Sequence, residues 1–176
     1  VEVHGESVEQ SKVGYRTALN VTGVSAADVQ RGDELIQPDV FPRSRHLLVE
    51  MKTFGDAQEI KCPATLQLHI AATACSARIT GTRRLTSGQS AVVVLEVDKP
   101  VVATFGQKCL FRLPYPVGTM GGGTVLAVLG DETKRTRKLI ELGETIAMAN
   151  EGERLIAWTQ FHGELTPTPE WCGLQI

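Results

Sequence analysis

Cys62, His69 and Cys75 are the side chains in this sequence whose types and nearness could do chemistry: two soft thiols bracketing an imidazole. Such a set could hold zinc, or a thiolate could act as a nucleophile with the imidazole as its base. Structural zinc sites, however, bring their ligands in closely spaced pairs, and the sequence has no CxxC. The cysteines (Cys62, Cys75, Cys109, Cys172) are scattered, mostly among apolar or β-branched neighbours, where a reduced thiol behaves as a small buried hydrophobe. A disulfide framework does not suit a chain of this length and core content. The residues therefore predict buried thiols and a strand histidine. A small enzyme using His69 with Cys62 or Cys75 stays open as an alternative, and requires those side chains to converge in a cleft. Nucleotide chemistry has no visible machinery. There is no GxxxxGKS or GxxxxGKT loop and no NKxD stretch, and Gly121-Gly122-Gly123 lies in a β context rather than opening a helix. Without backbone amides and a lysine to cradle phosphates, neither GTP binding nor hydrolysis is expected of this chain.

The elements that position these residues read as strands over most of the chain. Short β-rich runs recur at Thr17–Val21, Leu47–Met51, Thr65–Ile70, Ala91–Val97, Cys109–Leu113 and Thr124–Val128. Glycine-bearing turns punctuate them at Thr22-Gly23, Arg31-Gly32-Asp33, Phe54-Gly55-Asp56, Ser87-Gly88 and Phe105-Gly106. Regular short strands with such turns predict a sandwich or barrel. Thr65, Gln67 and His69 alternate with Leu66, Leu68 and Ile70, so the two sets face opposite ways. Ser25 to Gln30 suits one helical turn. After Gly130 the period changes: Asp131 can cap a helix that places Leu139, Leu142 and Ile146 on one face. The basic cluster Lys134, Arg135, Arg137 and Lys138 spreads around that helix and reads as solvated surface. A second helix is predicted through Glu153, Leu155, Ile156, Trp158 and Phe161, ending near Gly163. Thr166-Pro167 or Thr168-Pro169 offers the start of a third.

Composition bounds the rest. Hydrophobic residues make up 42% and charged residues 22%, ordinary for a folded globular protein. No apolar run approaches the ~20 residues of a membrane helix, and no signal-peptide pattern opens the chain, so no membrane partner and a cytoplasmic location are expected. The start at Val1 and the apolar close Leu174-Gln175-Ile176 read as a piece of a longer protein. The net charge of -2 hides a basic middle. From Val1 to Phe41 three basic residues face seven acidic ones; from Pro42 to Leu129 ten face five; from Gly130 on, five face eight. A middle block carrying surplus cations fits contact with a polyanion, and equally a solvated face. Aromatics are only 5%, which disfavours generic single-strand binding by base stacking.

Three stretches carry a family resemblance. Val3-His4-Gly5, then Gly14-Tyr15-Arg16-Thr17-Ala18-Leu19-Asn20-Val21, Gly23-Val24 and Arg31-Gly32-Asp33-Glu34-Leu35 resemble the latter half of the second domain of elongation factor Tu-like translational GTPases. Leu66 to Ala74, with His69 and Thr73, through Ala77-Arg78-Ile79 resembles the H-x-G-T-A segment of that family's third domain, with Ala71 standing where the glycine is usual. Phe111-Arg112 to Thr119-Met120-Gly121-Gly122-Gly123-Thr124-Val125-Leu126 looks like the TIGGG-x-VL close of the third barrel. With helical segments following, the whole is similar to bacterial selenocysteine-specific translation elongation factors.

The resemblance implies a mainly β fold of elongation factor Tu-like antiparallel β-barrels, the second-domain barrel only partial, followed by a short α-helical segment. It places the end of domain II at 1–41, the domain III barrel at 42–129, and a helical segment opening a winged-helix region at 130–176. It implies a non-catalytic fragment that binds selenocysteyl-tRNA for delivery to the ribosome, with GTP and Mg handled by a domain absent here and the messenger hairpin met through absent C-terminal domains. Arg16 would face the aminoacyl group, and Arg78, Arg112, Thr119 and His69 would contact tRNA. The residues alone leave other roles open: Arg16 as an exposed strand arginine, Arg112 paired with a carboxylate, His69 as a half-buried strand residue. The same barrels could serve another factor of the superfamily, or an interaction module that binds no RNA.

Overall fold

The structure, a computed structural model, describes residues 1–3, 5–37, 40–114, 118–130 and 136–162. The chain divides into two compact units, Val1–Asp33 and Glu34 onward. In the first, β1 (Glu2–Val3) pairs antiparallel with β2 (Glu6–Ser7) and β3 (Thr17–Ala18). One turn of 3-10 helix at Ala26–Asp28 is capped by the Ser25 hydroxyl, which accepts from the Ala27 amide. That meets the expected helical turn, whereas the strand expected over Thr17–Val21 shortens to two residues. None of the described residues of this unit is buried, and Val13, Tyr15, Leu19 and Val29 are exposed. A segment this short cannot enclose a core of its own.

The second unit is built on β4 (Arg43–Thr53), β5 (Ile60–Lys61), β6 (Ala64–Ile70), β7 (Thr73–Thr80), β8 (Arg84–Leu85), β9 (Ser90–Val102), β10 (Lys108–Leu113) and β11 (Gly118–Leu129). Six of these close an antiparallel barrel in the order β10-β11-β4-β9-β7-β6, while β5 and β8 form a separate two-stranded ribbon. Period-2 alternation fills the interior. Leu47, Val49 and Met51 of β4, Leu66, Leu68 and Ile70 of β6, Val93, Leu95 and Val97 of β9, and Phe111 of β10 form one buried cluster. Ser44 and Thr53, at the two ends of β4, are the buried polar residues among those described, and both are satisfied: the Ser44 hydroxyl donates to the Leu129 carbonyl and the Thr53 hydroxyl to the Thr86 carbonyl.

Two helices follow, α1 (Thr136–Met148) and α2 (Glu151–His162). The apolar face of α1, Leu139, Leu142 and Ile146, lies on the outside of the barrel against Leu48, Val92, Val94, Leu126 and Leu129, with Trp158 of α2 in the same cluster. The uninterrupted apolar run in β9 thus has a cause: its strand is covered on both faces, by the core and by α1. Gly143 sets the closeness of that contact. A Cβ there would lie 2.6 Å from Val92 Cγ1 and 3.0 Å from Leu48 Cδ2. Gly143→Val should therefore lift α1 off the barrel and cost about 1–3 kcal/mol, read as a lower urea midpoint. The caps expected at Asp131 and at Thr166 or Thr168, the basic residues Lys134 and Arg135, the helix end near Gly163, and the chain terminus lie outside the described residues.

Candidate nucleic-acid interface

The described residues of α1 and α2 cover the outer face over β4, β9 and the end of β11, and leave uncovered the opposite outer wall made by β7, β6, β10 and the start of β11. Register decides what stands on it. Arg112 on β10 pairs with Thr119 on one side and with Gln67 on the other, and Gln67 pairs with Ser76. One row along, Leu110 sits opposite His69, which sits opposite Ala74; in the other direction Thr65 faces Arg78, which faces Glu96. Their neighbours Leu66, Leu68, Cys75, Ala77, Ile79, Cys109 and Phe111 point inward. The third-domain residues singled out in the sequence, His69, Arg78, Arg112 and Thr119, therefore share one outer wall. From ordinary strand spacing and rise, Arg78 and Arg112 stand roughly 12 Å apart along it.

Their surroundings differ. Arg78 reaches Glu96 at 3.7 Å, an exposed pair that contributes at most about 1 kcal/mol and leaves the guanidinium free to exchange partners. Arg112 has no carboxylate within ion-pair distance among the described residues, and its Nε is buried without a hydrogen-bond partner. The alternative of an Arg112–carboxylate pair is not what the described residues form. His69 is half-buried and Thr119 exposed. Gln67 and Ser76, uncharged hydrogen-bonding side chains between the two arginines, were not singled out in the sequence; the alternation along β6 was the signal that could have marked Gln67. Arg16, in the first unit, is exposed beside β3 and lines a shallow groove with Glu2, Gly5, Thr17 and Ala18. His4 lies outside the described residues.

The His69–Cys75 form of the thiol–imidazole alternative fails on geometry. The β6–β7 hairpin pairs His69 with Ala74 and Leu68 with Cys75, so the imidazole faces out while the thiol faces the core. The turn runs through Ala71 in the left-handed region (φ 45), a conformation that favours the glycine usual at this point in the resembling family. No group of three or more metal-ligating side chains forms among the described residues; Cys172 lies outside them. Burial pushes the Cys75 thiol up to about 11, with Asp98 adding to the effect, and the Cys109 thiol up to about 12. Both are the wrong way for a nucleophile. Iodoacetamide at pH 8 should leave Cys75 and Cys109 unmodified until urea unfolds the barrel, as mapped by peptide mass spectrometry. The same shifts set a pH dependence. A thiol whose folded value is raised supports the fold fully below its unfolded value of 9.0 and ceases to as pH climbs toward about 12, so the urea midpoint should fall across that window.

Gly121-Gly122-Gly123 lies within β11, each residue in register with both β10 and β4. These amides belong to a sheet ladder rather than to a loop opening a helix, so the run does not fit a nucleotide phosphate.

No family model matches the chain. Over 166 residues, 93% of the chain, the sequence is 28% identical to a selenocysteine-specific elongation factor from Desulfomicrobium baculatum. The chain resembles a segment of a selenocysteine-specific elongation factor. The chain spans 26% of that relative's length. In fold it is similar to the crystal structure of a bacterial selenocysteine-specific elongation factor, EF-Sec, with a TM-score of 0.69 over 89% of this chain and 25% of that one, at 20% identity. The resemblance carried by the sequence motifs, and the barrel fold it implies, are thereby borne out. At Gly121 and Gly123 a Cβ would strike neighbouring strands, so these two glycines serve barrel closure.

Proposed function

We propose that this chain is the tRNA-gripping part of a selenocysteine-specific elongation factor, acting in translation without chemistry of its own. The observation that carries the reading is the outer wall, where Arg78 and Arg112 stand on one face with Gln67, Ser76 and Thr119. RNA duplexes display phosphates and 2′-hydroxyls across a shallow groove, and a wall of cations and neutral hydrogen-bonding groups matches that chemistry. Residues 42–129 would be the third domain, holding the tRNA stem; 1–41 would be the end of the second domain; 130–176 would open the winged-helix region. GTP and Mg would be handled by another part of the factor, the ribosome would be the site of delivery, the messenger hairpin would be met by segments further on, and the setting would be the cytoplasm.

Arg16 would face the aminoacyl group. A selenol is mostly ionised near neutral pH, and a guanidinium attracts and hydrogen-bonds the selenolate. A seryl hydroxyl gains less from that charge, which would discriminate against the seryl form.

Binding of selenocysteyl-tRNA and seryl-tRNA over a series of salt concentrations tests both levels. Arg78→Glu with Arg112→Glu should weaken both tRNAs alike, by about tenfold or more at low salt, and flatten the salt slope. Arg16→Ala should erase the preference for selenocysteyl-tRNA while leaving the slope alone. Binding that ignores salt, or that survives reversal of both wall arginines, sinks the reading of the wall. Equal affinity for the two tRNAs in the unaltered protein sinks the selenocysteine assignment.

A further inference from the structure

The ribbon of β5 and β8 breaks a local rule. Its register sets Ile60 opposite Leu85 and Lys61 opposite Arg84. Leu85 is buried and Ile60 packs against the barrel core, so alternation turns Lys61 and Arg84 outward, where both are exposed. Like charges directly opposite across a pair of strands destabilise it. Arg83, also exposed, adds a third cation at the same place, and its carbonyl accepts from the Cys62 amide at 2.9 Å, fixing it to the ribbon. The Thr82 hydroxyl donates to the Arg84 carbonyl at 3.0 Å and holds the approach to β8.

Among the described residues one carboxylate stands within ion-pair distance of these three cations, Glu59, 3.6 Å from Arg84 in an exposed pair. No carboxylate of the described residues lies within ion-pair distance of Lys61 or Arg83. The exposed Arg84–Glu59 pair offsets little of the Lys61–Arg84 repulsion, and local rules broken in this way are expected at functional surfaces. Its position gives the partner. Lys61 lies shortly before Thr65 in sequence and Arg84 shortly after Arg78, and Thr65 pairs with Arg78 on the wall. The chain therefore runs directly from the Arg78 end of the wall into the ribbon.

We propose that the β5–β8 ribbon is a second phosphate clamp for the RNA that the wall holds, gripping the backbone beyond the stretch facing Arg78 and Arg112. This rests on the tRNA-binding reading of the wall. Arg83 and Arg84 supply planar forks suited to phosphate oxygens and Lys61 a point charge, so recognition is of backbone and not of base sequence. Glu59 competes with phosphate for Arg84.

The test uses the whole chain with a short RNA hairpin as probe, its affinity measured across salt concentrations. Lys61→Ala with Arg84→Ala should weaken binding about tenfold at low salt and reduce the slope of log affinity against log salt by roughly 1.5 to 2, with the wall untouched. Glu59→Gln removes the competitor and should tighten binding two- to fivefold. It decides the matter by itself if circular dichroism shows the double variant misfolded. A hairpin whose binding responds to Arg78→Glu and Arg112→Glu but keeps its slope in the ribbon variant overturns the clamp and leaves the wall standing. A hairpin that shows no salt-dependent binding to the unaltered chain overturns both.

Discussion

Gly121→Ala should leave the chain unable to form its barrel, recovered as insoluble or unfolded protein, whereas Gly122→Ala next to it should fold. The difference lies in what the added methyl meets. At Gly121 a Cβ would lie 2.1 Å from the Lys52 carbonyl oxygen, 2.8 Å from Thr53 Cα and 2.9 Å from the Lys52 carbonyl carbon. All three are backbone atoms of β4, which is held on its other side by β9, so no side-chain rotation relieves the overlap. Strands β4 and β11 would have to part where the ladder runs from Gly121↔Thr53 to Gly123↔Met51, releasing hydrogen bonds over the buried Met51 and Met120. A cost above about 4 kcal/mol, within reach of a domain's whole stability, is the expectation. At Gly122 the nearest atom to a Cβ is the Cys109 carbonyl oxygen at 3.5 Å, ordinary contact, and the cost should stay within about 1 kcal/mol. Expression of both variants, followed by circular dichroism and urea unfolding, separates them. A folded Gly121→Ala protein with a near-normal midpoint would show that the close strand approach does not govern closure.

That glycine run shows where sequence reading carries and where it stops. Its place in a β context was legible, and so was its unsuitability as a phosphate loop. Which of its members is squeezed between strands was not, because that depends on the register against β4 rather than on any local preference. The long strands were legible by their alternation or apolar content, and they extend in the structure by one to several residues beyond the runs that signalled them. Strand β7 was harder to see. Its inward residues include Cys75 and Ala77, small side chains that blur the period. The ribbon of β5 and β8 left no pattern at all, since two residues cannot show a period; only the Arg83-Arg84 doublet marked it. His69 and Cys75 illustrate a different limit. Six positions apart, they would share a face on one continuous strand. The turn at Ala71 folds the segment into a hairpin, and its pairing puts them on opposite sides. The outer wall was half legible: the family motifs supplied Arg78, Arg112 and Thr119, but their meeting on one face with Gln67 and Ser76 needed the closure of β6 onto β10.

Phe111→Ala is the second large expectation, and its pairing with Gly123 makes it more than a cavity measurement. The Phe111 ring is fully buried inside the barrel and lies over Gly123 on the adjacent strand, where a Cβ would come 2.9 Å from its Cε2 atom, 2.8 Å from Val49 Cγ1 and 3.1 Å from Cys109 Sγ. Removing the ring alone should cost about 3–5 kcal/mol, since the strands around it are fixed by their ladders and cannot collapse fully into the void. Adding a methyl alone, Gly123→Ala, should cost about 1–3 kcal/mol by overpacking against the same ring. Together the two changes should cost less than their sum by about 1–2 kcal/mol, because the methyl enters space that the ring has vacated, while its contact with Val49 persists and limits the rescue. A urea-unfolding double-mutant cycle reads this directly. Additivity within about 0.5 kcal/mol would mean that Val49 of β4 and Cys109 of β10, rather than the aromatic ring, exclude a side chain at Gly123.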